Sequence, residues 1–182
     1  ASYVIGTNID RQSYKHTAKK TDEEKQSTKK ALLNKDFRQA VNFGFDRKSY
    51  AAQVSGADAA ENTLRSTLVP PTYVQVNGED FGKVVEKQLV TYGDQWKGVS
   101  LDDGQTSLYS PEKAKASFAK AKAELQKQGV QFPIHIDVPV IQNATSIVTR
   151  MQSLKQTVEE TLGKDNVVVD LQMMDQDEVL NI

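Results

Sequence analysis

The chain has 182 residues, 38% of them hydrophobic and 26% charged, with 23 basic and 24 acidic side chains and no cysteine. The near-zero net charge supplies no field to hold nucleic acid or an anionic membrane, and the cysteine count excludes disulfides, thiolate nucleophiles and thiolate metal sites. The length is that of one domain, 1–182, able to bury about 70% of its unfolded surface; no run approaches the ~18 apolar residues of a membrane span, and no signal-peptide pattern is present.

Tyr3-Val4-Ile5-Gly6-Thr7-Asn8 is β-branched and aromatic, ends in a turn former and predicts a strand. Arg11 to Lys30 comes next, with almost no large apolar residue. It reads as a polar insert, 11–30, forming a solvated loop or a short surface helix that cannot drive folding. Asn34 or Asp36 can cap a helix through Phe37, Ala40, Val41 and Phe45. Gly44 weakens that helix by about 1 kcal/mol relative to Ala, which points to a second backbone close by. Asp46 is placed to accept from the Ser49 amide and to start a helix over Arg47 to Val54, closed by Gly56. Leu68-Val69-Pro70-Pro71 is an extended break, because residues before proline avoid the α region.

Glu79 to Gly93 predicts a helix with Phe81, Val84, Val85, Gln88, Leu89 and Tyr92 on one face. Trp96 to Tyr109 is a loop. Ser110 as N-cap, Pro111 at the first helical position and Glu112 in the first turn mark the clearest helix start. Its buried stripe is Ala114, Phe118, Ala121 and Leu125, and Gly129 stops it. Phe132 to Val140 alternates, with Ile134, Ile136 and Val138 on one face and His135 and Asp137 on the other. Asn143 can cap a helix whose stripe is Ile147, Met151, Leu154, Val158 and Leu162, closed by Gly163. Val167 to Leu171 is a further strand. Strand, helix and strand make a βαβ unit, parallel and right-handed in ~98% of cases. Asp175 to Ile182 begins another helix. The fold class is α/β, with an α+β first half built on helices around a small mixed sheet. The chain opens Ala-Ser-Tyr and stops inside a helical pattern, as an excised segment would.

The catalytic inventory is thin. His16 lies in the polar insert and is expected to be exposed; His135 reads as a satisfied sheet histidine. Asp102-Asp103-Gly104 lacks the alternating ligands of a calcium loop and reads as a turn. The carboxylate pairs Glu79-Asp80 and Glu159-Glu160 read as helix surface. The lysine-rich helix has no interleaved aromatics for base stacking, so no nucleic-acid partner is expected. Trp96 is either a ligand platform or a loop anchor packed on the core, with the anchor favoured. No metal and no cofactor is implied. One pointer is topological: ligands of open α/β sheets sit at the carboxyl ends of strands. Gln142, Asn143 and Thr145 occupy that edge, beside the free amides of a helix N-terminus, and are the candidate ligand-binding residues. The alternative for Asn143 is that it only caps its own helix.

Four segments carry a family resemblance. Phe37-Arg38-Gln39-Ala40-Val41-Asn42-Phe43-Gly44-Phe45-Asp46-Arg47 resembles the Arg-x-Ala-x-x-x-Ala-x-Asp-Arg helix of the peptide-binding components of ABC importers, the family-five extracellular solute-binding proteins. The strand ending at Asn8, the pair Pro70-Pro71 and Tyr109-Ser110-Pro111-Glu112-Lys113-Ala114-Lys115 match that family in the same order, and the βαβ unit matches the family's next segment. Gly44 departs from it, since the family usually has Ala there. The insert before Ala31 and the loop from Asn77 to Tyr109 look most like the oligopeptide-binding lipoproteins of Gram-positive bacteria, the streptococcal type in particular. The resemblance implies a helix-rich lobe of a periplasmic-binding-protein type II fold, most of the family's third domain. It also implies an intact receptor at the outer face of the cell membrane, lipid-anchored and monomeric, without enzymatic activity. Such a receptor captures oligopeptides between two lobes and delivers them to a membrane permease. The lobe itself does not insert into the membrane. The rival readings are a cell-surface interaction or antigenic module that uses the polar insert as its contact site, and a carboxylate hydrolase, which no motif supports.

Overall fold

The structure, a computed structural model, describes residues 5–181. The first helix, α1 (Asp22–Leu33), starts in a capping box: the Glu24 amide donates to the Thr21 hydroxyl, and the Thr21 amide donates to the Glu24 carboxylate. Asn34 then ends α1 and caps α2 (Lys35–Gly44), its side-chain oxygen accepting from the Phe37 amide at 2.9 Å. Asp46 caps α3 (Arg47–Ser55) by accepting from the Ser49 amide at 3.0 Å, and Gly56 closes it at φ 78°. Beyond α3 lies a two-residue ribbon, β1 (Gln75–Val76) against β2 (Glu79–Asp80), turned by Asn77 and Gly78 at φ 52° and 82°. Next come α4 (Phe81–Val90), α5 (Pro111–Lys127), β3 (Ile134–Ile141), α6 (Thr145–Leu162), β4 (Val167–Met174) and α7 (Gln176–Leu180).

β3 and β4 pair in parallel over eight residues, Ile134 opposite Val167 through Ile141 opposite Met174. With α6 as the crossover, the predicted strand–helix–strand unit is present. The parallel pair and the antiparallel ribbon are two separate ladders among the described residues, not one mixed sheet. Pro139 is tolerated in β3 because the register turns its nitrogen to the outer edge, where no ladder bond is lost. The outer edge of β4 is plugged by α6: the Val169 amide donates to Glu159 at 3.0 Å, and Lys155 donates to the Val169 carbonyl at 2.7 Å. Side chains that consume edge amides and carbonyls block pairing by another strand.

The main core joins α2, α5, α6 and one face of the parallel pair. Phe37, Ala40, Phe43, Ala114, Leu125, Ile134, Val158, Val167 and Val169 are its fully buried centre. Trp96 packs against Phe43 in a tilted arrangement with ring centroids 5.2 Å apart, so it is the expected loop anchor. The α5 stripe and the inner half of the α6 stripe are buried as predicted.

Several expectations are corrected. Tyr3 and Val4, the start of the predicted first strand, lie outside the described residues. Ile5 to Asn8 are exposed and pair with no strand. Of the two forms expected for the polar stretch 11–30, its second half takes the helix, α1, but the stretch is not wholly solvated: Ser27 and Thr28 are buried, and Lys19 is 5% exposed. Polar residues enter there because partners on β3 and just before it satisfy them, the Thr28 hydroxyl donating to the His135 carbonyl at 2.9 Å and the Gln131 amide to Ser27 at 3.1 Å. His16 is half-buried, 3.6 Å from Glu178. Gly44 does lie where neighbouring elements come close: a Cβ there would meet the Cβ atoms of Thr161 and Ala114 at 3.6 and 3.8 Å, and the Ser110 amide donates to the Phe43 carbonyl at 2.9 Å. The helix predicted from Glu79 starts at Phe81, because Glu79 and Asp80 are held in the ribbon and Asp80 caps α4. Glu159 is buried rather than on the helix surface, as its work at the β4 edge requires.

Candidate functional site

β3 ends at Ile141 and α6 begins at Thr145, so Gln142, Asn143 and Ala144 make the turn at the carboxyl edge of the sheet. Gln142, Asn143 and Thr145 are all exposed. The Gln142 amide nitrogen donates to Asp175 at 2.5 Å, tying the end of β3 to the end of β4. Asn143 does not cap α6. The N-cap is Ala144, which has no side chain to accept from the helix amides. The reason is a turn one residue longer than the pattern showed. Its consequence is a helix start with no side-chain cap, where the Ile147 amide turns back to the Ala144 carbonyl at 2.8 Å and a local positive end remains. Thr145 contributes its carbonyl, which accepts from the Thr149 hydroxyl at 2.6 Å. The three residues therefore lie together on one open edge, with Asp175 beside them. Trp96 does not roof this edge; it packs against Phe43 in the main core.

A second feature escaped the sequence reading. A cleft of about 690 Å³ runs between residues 5–16 on one side and α2, β3 and α6 on the other. Its walls are mostly apolar: Leu32, Val41, Phe45, Ile136, Val138 and Met151 among them. It reaches Gln172 and Met174 near the carboxyl edge, but Gln142, Asn143 and Thr145 do not line it. Arg38 does line it, donating to the Leu32 carbonyl at 2.6 Å.

Among the described residues, the most heavily hydrogen-bonded carboxylate lines this cleft. The Asp137 side chain is 3% exposed. It accepts from Arg11 at 2.5 Å, Thr17 at 2.7 Å, Lys19 at 2.6 Å, the Ala18 amide at 2.9 Å and Gln172 at 3.3 Å. Burial pushes its pKa up, but the bonds from Lys19, Ala18, Thr17 and Arg11 outweigh that and hold it at about 2. Burial lowers the Lys19 pKa, with the bond to Asp137 opposing. Next to it, His135 Nδ1 lies 2.7 Å from Asp170, the satisfied sheet histidine that was expected. Alternation placed Asp137 on the outer face of β3, and the basic segment was visible as well. Nothing local joined them, because Lys19 and Asp137 are 118 residues apart. Among the described residues, no group of three or more His, Asp or Glu is placed to hold a metal ion. The Asp102-Asp103-Gly104 segment is a turn, with the Gly104 amide donating to the Leu64 carbonyl at 3.2 Å.

Comparison with known proteins bears on the fold and the family. Two solved structures share the fold. One is the substrate-binding domain of an oligopeptide ABC transporter from Bacillus anthracis, with TM-score 0.54 and 21% identity over 83% of this chain and 24% of that one. The other is the peptide-binding protein of a peptide ABC transporter, with TM-score 0.53 and 20% identity over 91% of this chain and 59% of that one. Among curated proteins, the oligopeptide-binding protein AliA of Streptococcus pneumoniae serotype 4 is 62% identical over 181 residues. The oligopeptide-binding protein SarA of Streptococcus gordonii is 59% identical over the same length. All of this chain is covered in both alignments, but it spans only 27% of either relative. Residues 3–181 match the family described as bacterial extracellular solute-binding proteins, family 5, middle. The chain therefore belongs to the family-5 bacterial extracellular solute-binding proteins.

Proposed function

We propose that the chain is one lobe of an extracellular oligopeptide receptor that captures peptides and hands them to the permease of an ABC importer. The observation that carries this reading is the 62% identity, along the whole chain, to a streptococcal oligopeptide-binding protein. The open edge at Gln142, Asn143 and Thr145 supports it. Amide side chains and uncapped helix amides read peptide main chain and carboxylate without regard to side chains, as a broad-specificity receptor requires. In this reading the longer receptor is monomeric, lipid-anchored at the outer face of the membrane, and works by binding rather than catalysis.

A single lobe supplies only part of the contacts that a closed clamshell makes, and closure is driven by affinity for the closed state. Isothermal titration of this chain with a generic hexapeptide is expected to show no micromolar binding. In a two-lobed receptor carrying this lobe, Q142A/N143A is expected to weaken peptide binding by about tenfold, the loss of one to two hydrogen bonds. Micromolar affinity in the isolated lobe would overturn the half-site reading. Unchanged affinity in the double variant would overturn the assignment of the edge.

A further inference from the structure

We propose that residues 5–19 form a detachable strap, held as one wall of the apolar cleft by a single latch, Asp137. Among the described residues, four hydrogen bonds leave this segment for the rest of the molecule, and all four end on that one carboxylate: those from Arg11, Thr17, the Ala18 amide and Lys19. The other ion pairs of the segment are long and join partly open side chains: Asp10 with Lys29 at 3.7 Å, and Lys15 and His16 with Glu178 at 3.5 and 3.6 Å. Pairs of that kind contribute little. The segment adds no strand to the sheet, and its aliphatic residues Ile5 and Ile9 are 56% and 47% exposed. Packing is therefore slight at the start of the segment and gathers around the latch, where Tyr14, Thr17 and Ala18 are half-buried and Lys19 is buried, while the latch itself holds strongly, since charge-assisted bonds to a buried carboxylate are the strong class of hydrogen bond.

The consequence is an opening that follows release of the latch and leaves the core intact. When the latch goes, residues 5–19 lose their anchor together, as a local unfolding unit does. The core behind them is built from α2, α5, α6, β3 and β4 without their help. Opening removes one wall and exposes the other, with Val41, Phe45, Ile136, Val138 and Met151. The strap thus gates access to the cleft, a property of the lobe itself that does not depend on the peptide-receptor reading.

Hydrogen–deuterium exchange on the 182-residue chain tests this. In D137N the Ala18 amide is expected to exchange at least about tenfold faster, while amides of β3, β4 and α6 keep their protection. Fluorescence of an anilinonaphthalene sulfonate dye is expected to rise severalfold as the cleft opens. R11Q/T17V removes two donors, leaves Asp137 paired with Lys19, and should free the strap in part; it decides the matter if D137N does not fold. E178Q should change neither readout. Unchanged exchange at Ala18 in the variants would overturn the proposal. So would equal loss of protection across β3, β4 and α6 in R11Q/T17V, or the same release in E178Q.

Discussion

Gly44 sits where α2 meets α5 and α6. A Cβ built there would lie 3.5 Å from Thr161 Cγ2 and 3.8 Å from Ala114 Cβ, ordinary contact distances. Its φ is not among the positive values, so alanine fits without strain. Gly44→Ala is therefore expected to stabilise the chain by about 0.5–1 kcal/mol, from helix propensity and lower unfolded-state entropy. Urea unfolding would show this as a higher midpoint at unchanged slope. Asp137 makes the stability depend on pH at the acid end. Its folded pKa of about 2 lies below the unfolded value of roughly 3.9. The stability it contributes is present above about pH 4 and is lost as pH falls toward 2, on the order of 2 kcal/mol. Acid titrations of the native chain should show that loss. In D137N the portion between pH 4 and 2 should shrink.

At the scale of elements, most boundaries come from one-residue chemistry. Asn34, Asp46, Asp80 and Ser110 each accept an amide bond at a helix start. Asp46→Ala is expected to cost about 1 kcal/mol and to fray α3 first, as seen by faster exchange of its first-turn amides. The β1–β2 ribbon rests on a different device. Asn77 and Gly78 both have positive φ, as the two-residue hairpin turn demands. That Asn-Gly pair was a legible hairpin signal, hidden beneath the apolar spacing of the helix beside it. Gly78→Val is expected to destabilise the ribbon by at least about 1 kcal/mol, because a β-branched residue resists φ 82°. Chemical-shift changes should then concentrate at Tyr73–Phe81 rather than in the main core.

At the scale of the whole molecule, the parallel pair carries an open carboxyl edge at Gln142, Asn143 and Thr145, and the apolar cleft runs between residues 5–16 and α2, β3 and α6. The polar insert is not a free contact arm, since its first half is latched to β3 and its second half is α1. Deleting 11–30 is thus expected to lower stability rather than only remove a surface. A fall in the urea midpoint would check it, and an unchanged midpoint would restore the surface-module reading.

The starts of α2, α3 and α5, the stops at Gly56 and Gly163, the α5 stripe, the second half of the α6 stripe and the parallel βαβ unit were determined by the sequence itself. Caps act over three residues, Gly163 ends α6 at φ 85°, and apolar spacing repeats every turn or every second residue. Only the tertiary structure decided the fate of the polar residues. Lys19, Glu159 and Asp137 carry charges that a local reading sends to water. They are buried because a partner lies across the fold, on a strand 118 residues away or at a neighbouring strand edge. The same holds for Asn143, whose capping role depended on a turn length set by how β3 hands the chain to α6. Desolvating a charge is costly until its partner is in place, and that partner is brought by the fold rather than by proximity in the chain.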